Sequence, residues 1–370
     1  MYKRLSYRST HIIFLSLLLA ELTNLPTDSF SLSARDGHEV DFVNVVDHGL
    51  STNSIPIVTA ESDAYIMVPH PIIDEVHPDN LEKTVRDLAS FHTRHTESEF
   101  IDDVSYWLEE ELQSICGRGV YVHNFTHIPE KDDIDSQHQQ EVSSYHLKNI
   151  ACEKPGLTNN TIIISAHYDS RMEDLNDPRA RAPGADDNAS GVSALLEVAR
   201  ILSKVDLEHS ISFVLFSGEE QGKWGSRHYA DHIDETDVDL DLLINLDMVG
   251  FSSQGSNDFL IEYDNGNIVQ DNDKYSQAVA NFIKEVAPKF TNLNATLGVL
   301  GNADYLPFEA LGYTVIGFHD DGVTKNPNYH KSTDTPDTLD YQYLTSVTKL
   351  ILATILGLDK SIIPDNLLDR

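Results

Sequence analysis

The stretch Thr161–Gly191, TIIISAHYDSRMEDLNDPRARAPGADDNASG, decides how the rest of the chain is read. An unbroken apolar run, Ile162 to Ile164, leads into Ala166-His167-Tyr168-Asp169, and a polar loop then carries Gly184-Ala185-Asp186-Asp187-Asn188 into a helical pattern. A short β-branched run bounded by polar residues reads as a buried parallel strand, and the C-terminal end of such a strand is where open α/β sheets hold their ligands. His167 therefore stands at the mouth of a site. Gly184 supplies a sharp turn, Asn188 or Asp187 can cap the helix, and Asp186 is left as the carboxylate expected to face His167.

The same pattern recurs downstream. Val192 to Leu202 has apolar residues on one helical face, and Ile211 to Phe216 is a second apolar strand ending in Ser217-Gly218-Glu219-Glu220-Gln221-Gly222. Leu242 to Leu246 is a third, ending in Asp247, and Tyr313 to Phe318 a fourth, followed by Asn328-Tyr329-His330-Lys331-Ser332. Leu344 to Leu358 closes the chain with a helix. Upstream, Asn80 to Phe91 and Glu99 to Ile115 have helical spacing, while Val120 to Phe125 and Ser144 to Cys152 read as a hairpin around an acidic loop. This order predicts an α/β fold: a mixed, largely parallel central sheet flanked by helices on both faces, with ligands at the strand C-terminal ends.

The polar residues at those strand ends are His167, Asp186, Glu219, Glu220, Asp247 and His330. Adjacent carboxylates at the end of a buried strand are costly unless a positive group waits there. Imidazoles and carboxylates without a thiolate suit zinc or a similar divalent ion. There are enough ligands for two ions if Asp186 bridges them, with one carboxylate left free as a base. Asp169, two residues beyond His167, is placed to orient a ligand imidazole.

Composition narrows the alternatives. The 370 residues are 40% hydrophobic, as a globular core requires, and 60 Asp+Glu against 26 Lys+Arg give a formal net charge of -34. Such a surface repels nucleic acid and anionic membranes. Lys3, Arg4 and Arg8 precede an apolar run from Ile12 to Ala20, the order of a secretory signal, so residues 1–23 are expected to be a signal peptide and the protein secreted or periplasmic. No later stretch is apolar enough to span a bilayer. Residues 24–75 read as an N-terminal extension, either a propeptide or accessory strands, and 76–370 as the catalytic domain. The 2 cysteines, Cys116 and Cys152, are compatible with one disulfide.

Five blocks in order, AHYDS (Ala166 to Ser170), GADDNASG (Gly184 to Gly191), SGEEQG (Ser217 to Gly222), NLDMVG (Asn245 to Gly250) and NYHKSTDTPD (Asn328 to Asp337), closely resemble the di-zinc aminopeptidases of the bacterial leucyl aminopeptidase type. The resemblance runs from about Asn80 to Leu358. It implies two Zn2+ per chain, one held by His167 and Asp247, the other by Glu220 and His330, with Asp186 bridging. It further implies Glu219 as general base, Asp169 as support for a ligand, and peptides with a free N-terminus as substrates. The tyrosine that precedes a Ser-Asp pair in that family has no counterpart in Leu300-Gly301-Asn302-Ala303-Asp304, which leaves Tyr305, Tyr329 or a metal for its role. Trp224 to His228 and Asp304 to Phe308 are also similar to the related single-zinc glutaminyl cyclases, the nearest alternative enzyme. The alternative of another class is a catalytically inactive metal-binding homologue, against which an intact Glu219 argues.

Overall fold

The computed structural model describes residues 70–128, 144–236, 238–320 and 326–361. The expected signal peptide, and the expected extension as far as residue 69, lie outside the described residues. What is described there begins with a one-turn helix, α1 (His70–Ile73), followed by α2 (Pro78–Ser90) and α3 (Ile101–Cys116).

The strands are β1 (Val120–His127), β2 (Tyr145–Lys154), β3 (Asn160–His167), β4 (Ser210–Phe216), β5 (Asp239–Leu246), β6 (Asp258–Tyr263), β7 (Asn294–Val299) and β8 (Val315–His319). They form one sheet in the order β1-β2-β4-β3-β5-β8-β6-β7. The centre, β4-β3-β5-β8, is parallel. β1 and β2 add an antiparallel flank on one side, and on the other β6 runs antiparallel to β8. The remaining helices are α4 (Gly191–Leu202), α5 (Trp224–Glu235), α6 (Asp273–Phe290), α7 (Leu306–Glu309) and α8 (Tyr341–Ser361).

Alternation along each strand divides the core in two. From β3, Ile162, Ile164 and Ala166 join the larger cluster with residues of α2, α3, α4, α6 and α8. Ile163 points the other way and packs with Val214, Leu243, Val315 and the α5 residues Tyr229, Ala230 and Ile233. Both faces are covered, which is why the central strands read as continuous apolar runs. The mixed, largely parallel sheet is thus the one expected. β6, β7 and α6 were not anticipated, and β6 adds a wall to the site.

The hairpin is present, with Val120 opposite Cys152, and Cys116 at the end of α3 forms a disulfide to Cys152 across a Cα–Cα distance of 6.2 Å. The four apolar strands that the sequence marked are β3, β4, β5 and β8. Their C-terminal ends in the parallel centre deliver the polar residues to one edge.

Candidate metal centre and catalytic cavity

The parallel strands set the site row by row. Ser165 pairs with Asn245, and Asn245 with Gly317, so His167 and Asp247, each two residues further on, leave the sheet on the same face. The turn after β4 carries Glu219 and Glu220, and the loop after β8 brings His330.

Ligand-capable atoms of His167, Asp187 and Asp247 lie within 4.8 Å of one another, as do those of Asp187, Glu220 and His330. His167 Nε2 is 3.3 Å from Asp187 Oδ1 and 3.4 Å from Asp247 Oδ1. His330 Nε2 is 3.0 Å from Asp187 Oδ2 and 3.1 Å from Glu220 Oε2. Each oxygen of Asp187 thus faces one imidazole.

Asp187, not Asp186, is the shared carboxylate. Asp186 is directed elsewhere: its Oδ1 accepts Gly250 N–H at 3.0 Å and its Oδ2 the Asn326 amide at 2.9 Å. The backbone at Asp187 is non-helical, with φ -107 and ψ 90. In such extended backbone, neighbouring side chains leave on opposite sides, so only one of two adjacent aspartates can face the imidazoles. Asp334 pins the pair by accepting the N–H of both Asp186 and Asp187. Asn188 acts as a cap, its Oδ1 accepting Gly191 N–H at 3.0 Å. Gly184 is required by the turn: its φ is +52, and a Cβ there would come within 2.2 Å of Asp187 O.

The donor set fits a divalent cation. His330 Nε2 and Glu220 Oε1 are buried with no hydrogen-bond partner, although carboxylate oxygens crowd that nitrogen at hydrogen-bond distance. Atoms that converge without hydrogen-bond alignment aim at a common point. As free groups the pairs titrate abnormally. Burial opposes charge on His330, but Asp187 and Glu220 outweigh it and raise its pKa to about 9. Burial likewise opposes ionisation of Asp187, and the two imidazoles outweigh it and hold the carboxyl well below the usual range.

Asp169 is not hydrogen-bonded to His167. Its Oδ1 stands 3.6 Å from Nδ1, beyond hydrogen-bond range. It anchors the following turn, accepting the N–H of Gly218 at 2.9 Å, of Glu219 at 3.2 Å and of Glu220 at 3.2 Å, with the Thr96 hydroxyl at 3.3 Å. It positions the two glutamates through their backbone.

Glu219 and Glu220 line a cavity of about 320 Å³ together with His167, Asp187, Asp247 and Tyr329. Burial pushes Glu219 well above the ordinary carboxylate range; Asp304, Asp247 and Glu220 add to the shift, and His167 opposes it. The Tyr305 hydroxyl is committed, donating to Glu262 Oε2 at 2.8 Å and accepting Gly301 N–H at 2.7 Å. Tyr329 stacks on His330 with ring centroids 3.7 Å apart and lines the same cavity.

Sequence reasoning missed two groups. Arg94, fully buried, donates to the carbonyls of Tyr168 at 2.7 Å, Gly184 at 2.9 Å, Leu88 at 3.4 Å and Pro183. It ties the segment that carries His167 to the one that carries Asp187. Burial pulls its pKa down to about 10 against the pull of Asp334 and Asp187. Arg171 Nε donates to Glu220 Oε2 at 2.7 Å. Neither position has a sequence signal, since an arginine on a polar segment reads as solvated.

A fold with ligands gathered at the C-terminal ends of parallel strands, two metal-competent clusters and a glutamate in the cavity describes a hydrolase. The model of peptidase family M28 matches residues 149–355, and the chain belongs to that family. A probable zinc metalloprotease of Pyrenophora teres f. teres is 28% identical over 79% of this chain and 70% of its own length. A probable leucine aminopeptidase of Trichophyton verrucosum is 26% identical, covering 76% of this chain and 73% of that protein. Among solved structures, the LapA aminopeptidase of Legionella pneumophila superposes with TM-score 0.64 at 19% identity, over 81% of this chain and 78% of that one. A glutaminyl cyclase of Bacteroides thetaiotaomicron shares the fold with TM-score 0.61 at 20% identity, over 76% and 98%.

Proposed function

We propose that the protein is an exported aminopeptidase that uses two zinc ions per chain to remove N-terminal residues from peptides. One observation carries the reading: Asp187 belongs to both metal-competent clusters, the first completed by His167 and Asp247 and the second by Glu220 and His330. A single carboxylate between two sets serves paired ions. When bound, such ions would make a water molecule acidic and polarise the scissile carbonyl. Names given to relatives support zinc and aminopeptidase action, and a disulfide between Cys116 and Cys152 supports an oxidising compartment outside the cytoplasm.

Glu219 takes the proton of the attacking water and later delivers it to the departing amine. It is free to do so because Glu220, its neighbour, belongs to a metal cluster and Glu219 to neither. With Tyr305 occupied by Glu262 and Gly301, Tyr329, which lines the cavity, and a bound metal are the groups left to stabilise the oxygen that becomes negative. Asp169 and Arg94 hold the backbone that presents these groups.

The test is Glu219→Gln. It should keep two zinc ions by elemental analysis and lose at least the 10²–10⁴-fold in turnover typical of a general base. Wild-type turnover in that variant with both ions bound would remove Glu219 from the role. Cleavage of an N-acetylated peptide at its first bond would remove the aminopeptidase reading, and cyclisation of N-terminal glutamine would favour the cyclase.

A further inference from the structure

β6 brings a second carboxylate to the cavity. Glu262 pairs with Gly317 of β8, which pairs with Asn245 of β5, so Glu262 lies in the row that leads to Asp247, two strands away. The alternation on β6 agrees: Phe259 and Ile261 enter the larger core, leaving Leu260 and Glu262 on the face of the site. Two strand spacings put Glu262 roughly 10 Å across the sheet from the Asp247 column.

The room between them is left by glycine. A Cβ on Gly317 would come within 2.7 Å of both Glu262 Oε2 and Tyr305 Cε1, and one on Gly301 within 3.2 Å of Glu262 Oε1. Tyr305 fixes the carboxylate by donating to Oε2 at 2.8 Å. Glu262 is 8% exposed and lines the cavity, as does His319, and among the described residues no lysine or arginine forms an ion pair with it. A carboxylate held rigid on the wall of a cavity by one hydroxyl donor, with the His319 imidazole on the same wall but no lysine or arginine paired with it among the described residues, can serve an incoming cation.

The α-amino group of a bound peptide cannot be that cation. It is attached to the carbon that bears the scissile carbonyl and stays beside the metal clusters. The side chain on that carbon can travel further, and an extended lysine side chain reaches roughly 6 Å from Cα to Nζ by ordinary bond lengths. Added to the reach of Glu262, this spans the row. We propose that the cavity is a subsite for a cationic N-terminal residue, lysine or arginine, and that Glu262 selects it; the proposal rests on the aminopeptidase reading above. The net charge of -34 draws cationic peptides toward the molecule in addition.

The experiment compares kcat/KM for lysyl, arginyl, leucyl and norleucyl reporters on the zinc-loaded enzyme and on Glu262→Gln. Wild type should prefer lysyl to norleucyl at least tenfold, and Glu262→Gln should lower that ratio at least tenfold. Calorimetric binding of lysine hydroxamate and leucine hydroxamate provides a second measurement, independent of turnover. If no free-amine reporter is hydrolysed, the aminopeptidase reading fails, while a preference for lysine hydroxamate that is lost in Glu262→Gln still supports the subsite. A wild-type preference for leucine by both measurements, or an equal fall for all four reporters in Glu262→Gln, would overturn the proposal, the second outcome assigning Glu262 to the fold alone.

Discussion

Replacing Asp169 by alanine isolates the role the structure assigns to it. The carboxylate is fully buried and accepts three backbone N–H groups in succession, from Gly218, Glu219 and Glu220. A hydrogen bond to a charged group contributes about 1.5–3 kcal/mol, and the donors left behind would be partly rescued by water entering the space, so Asp169→Ala should cost about 3–6 kcal/mol. That is a large share of the roughly 5–15 kcal/mol by which a typical domain is stable. Asp169→Asn should cost less, about 2–4 kcal/mol, because one oxygen still accepts while the amide opposes the remaining donors. The assay is urea unfolding with and without zinc, beside zinc content and turnover. Both variants should lose turnover through displacement of Glu219 and Glu220. An Asp169→Ala protein within about 1 kcal/mol of wild type would show that solvent can take over these donors and that the turn is held by other contacts.

Asp187→Ala should empty both metal clusters, since it belongs to each, whereas Asp186→Ala should retain metal and lose about 1–3 kcal/mol from the unpaired Gly250 N–H and Asn326 amide; elemental analysis and thermal melts separate them, and the reverse result would restore Asp186 to the bridge. Arg94→Met should cost about 2–4 kcal/mol by stranding carbonyls, and Arg94→Lys should not restore it, because one ammonium cannot reproduce a fork that reaches Tyr168, Pro183 and Gly184. A Lys variant as stable as wild type would refute this. His209 gives a pH dependence. Burial opposes its charge, but Asp241 and Asp359 prevail and raise its pKa to about 9. Against an unfolded value near 6.5, the stabilisation is complete below about pH 6.5 and lost as pH rises through 9, amounting to at most about 3.4 kcal/mol. Unfolding free energies of wild type and His209→Asn should converge above pH 9, and parallel curves would contradict the assignment.

Much of the fold is legible because its central strands are buried on both faces and read as plain apolar runs, and because the site residues sit where those runs end. The choice between Asp186 and Asp187 was not legible. Both are carboxylates in one loop, and only the backbone angles and the partners Gly250 and Asn326 decide which one faces the imidazoles. β6 carries little pattern because its apolar run is only Phe259-Leu260-Ile261 before Glu262 breaks it. β7 is an edge strand with no fully buried residue and carries little pattern. Asp169 is legible as a site carboxylate two residues beyond His167, but its backbone partners are not, and Arg94, which serves only backbone carbonyls, leaves no spacing in the sequence.

The Cys116–Cys152 bond spans 36 residues, and those residues hold the β1–β2 hairpin with its acidic connecting segment. Closing a loop of that length is worth about 4 kcal/mol on the chain-entropy account. It also means that a cut by another protease between residues 117 and 151 would leave two pieces still joined covalently. Such a nick would be invisible on a non-reducing gel and would separate into fragments once the sample is reduced. The bond turns a break in the chain into a change of connectivity, with α3 and β2 still held to one another.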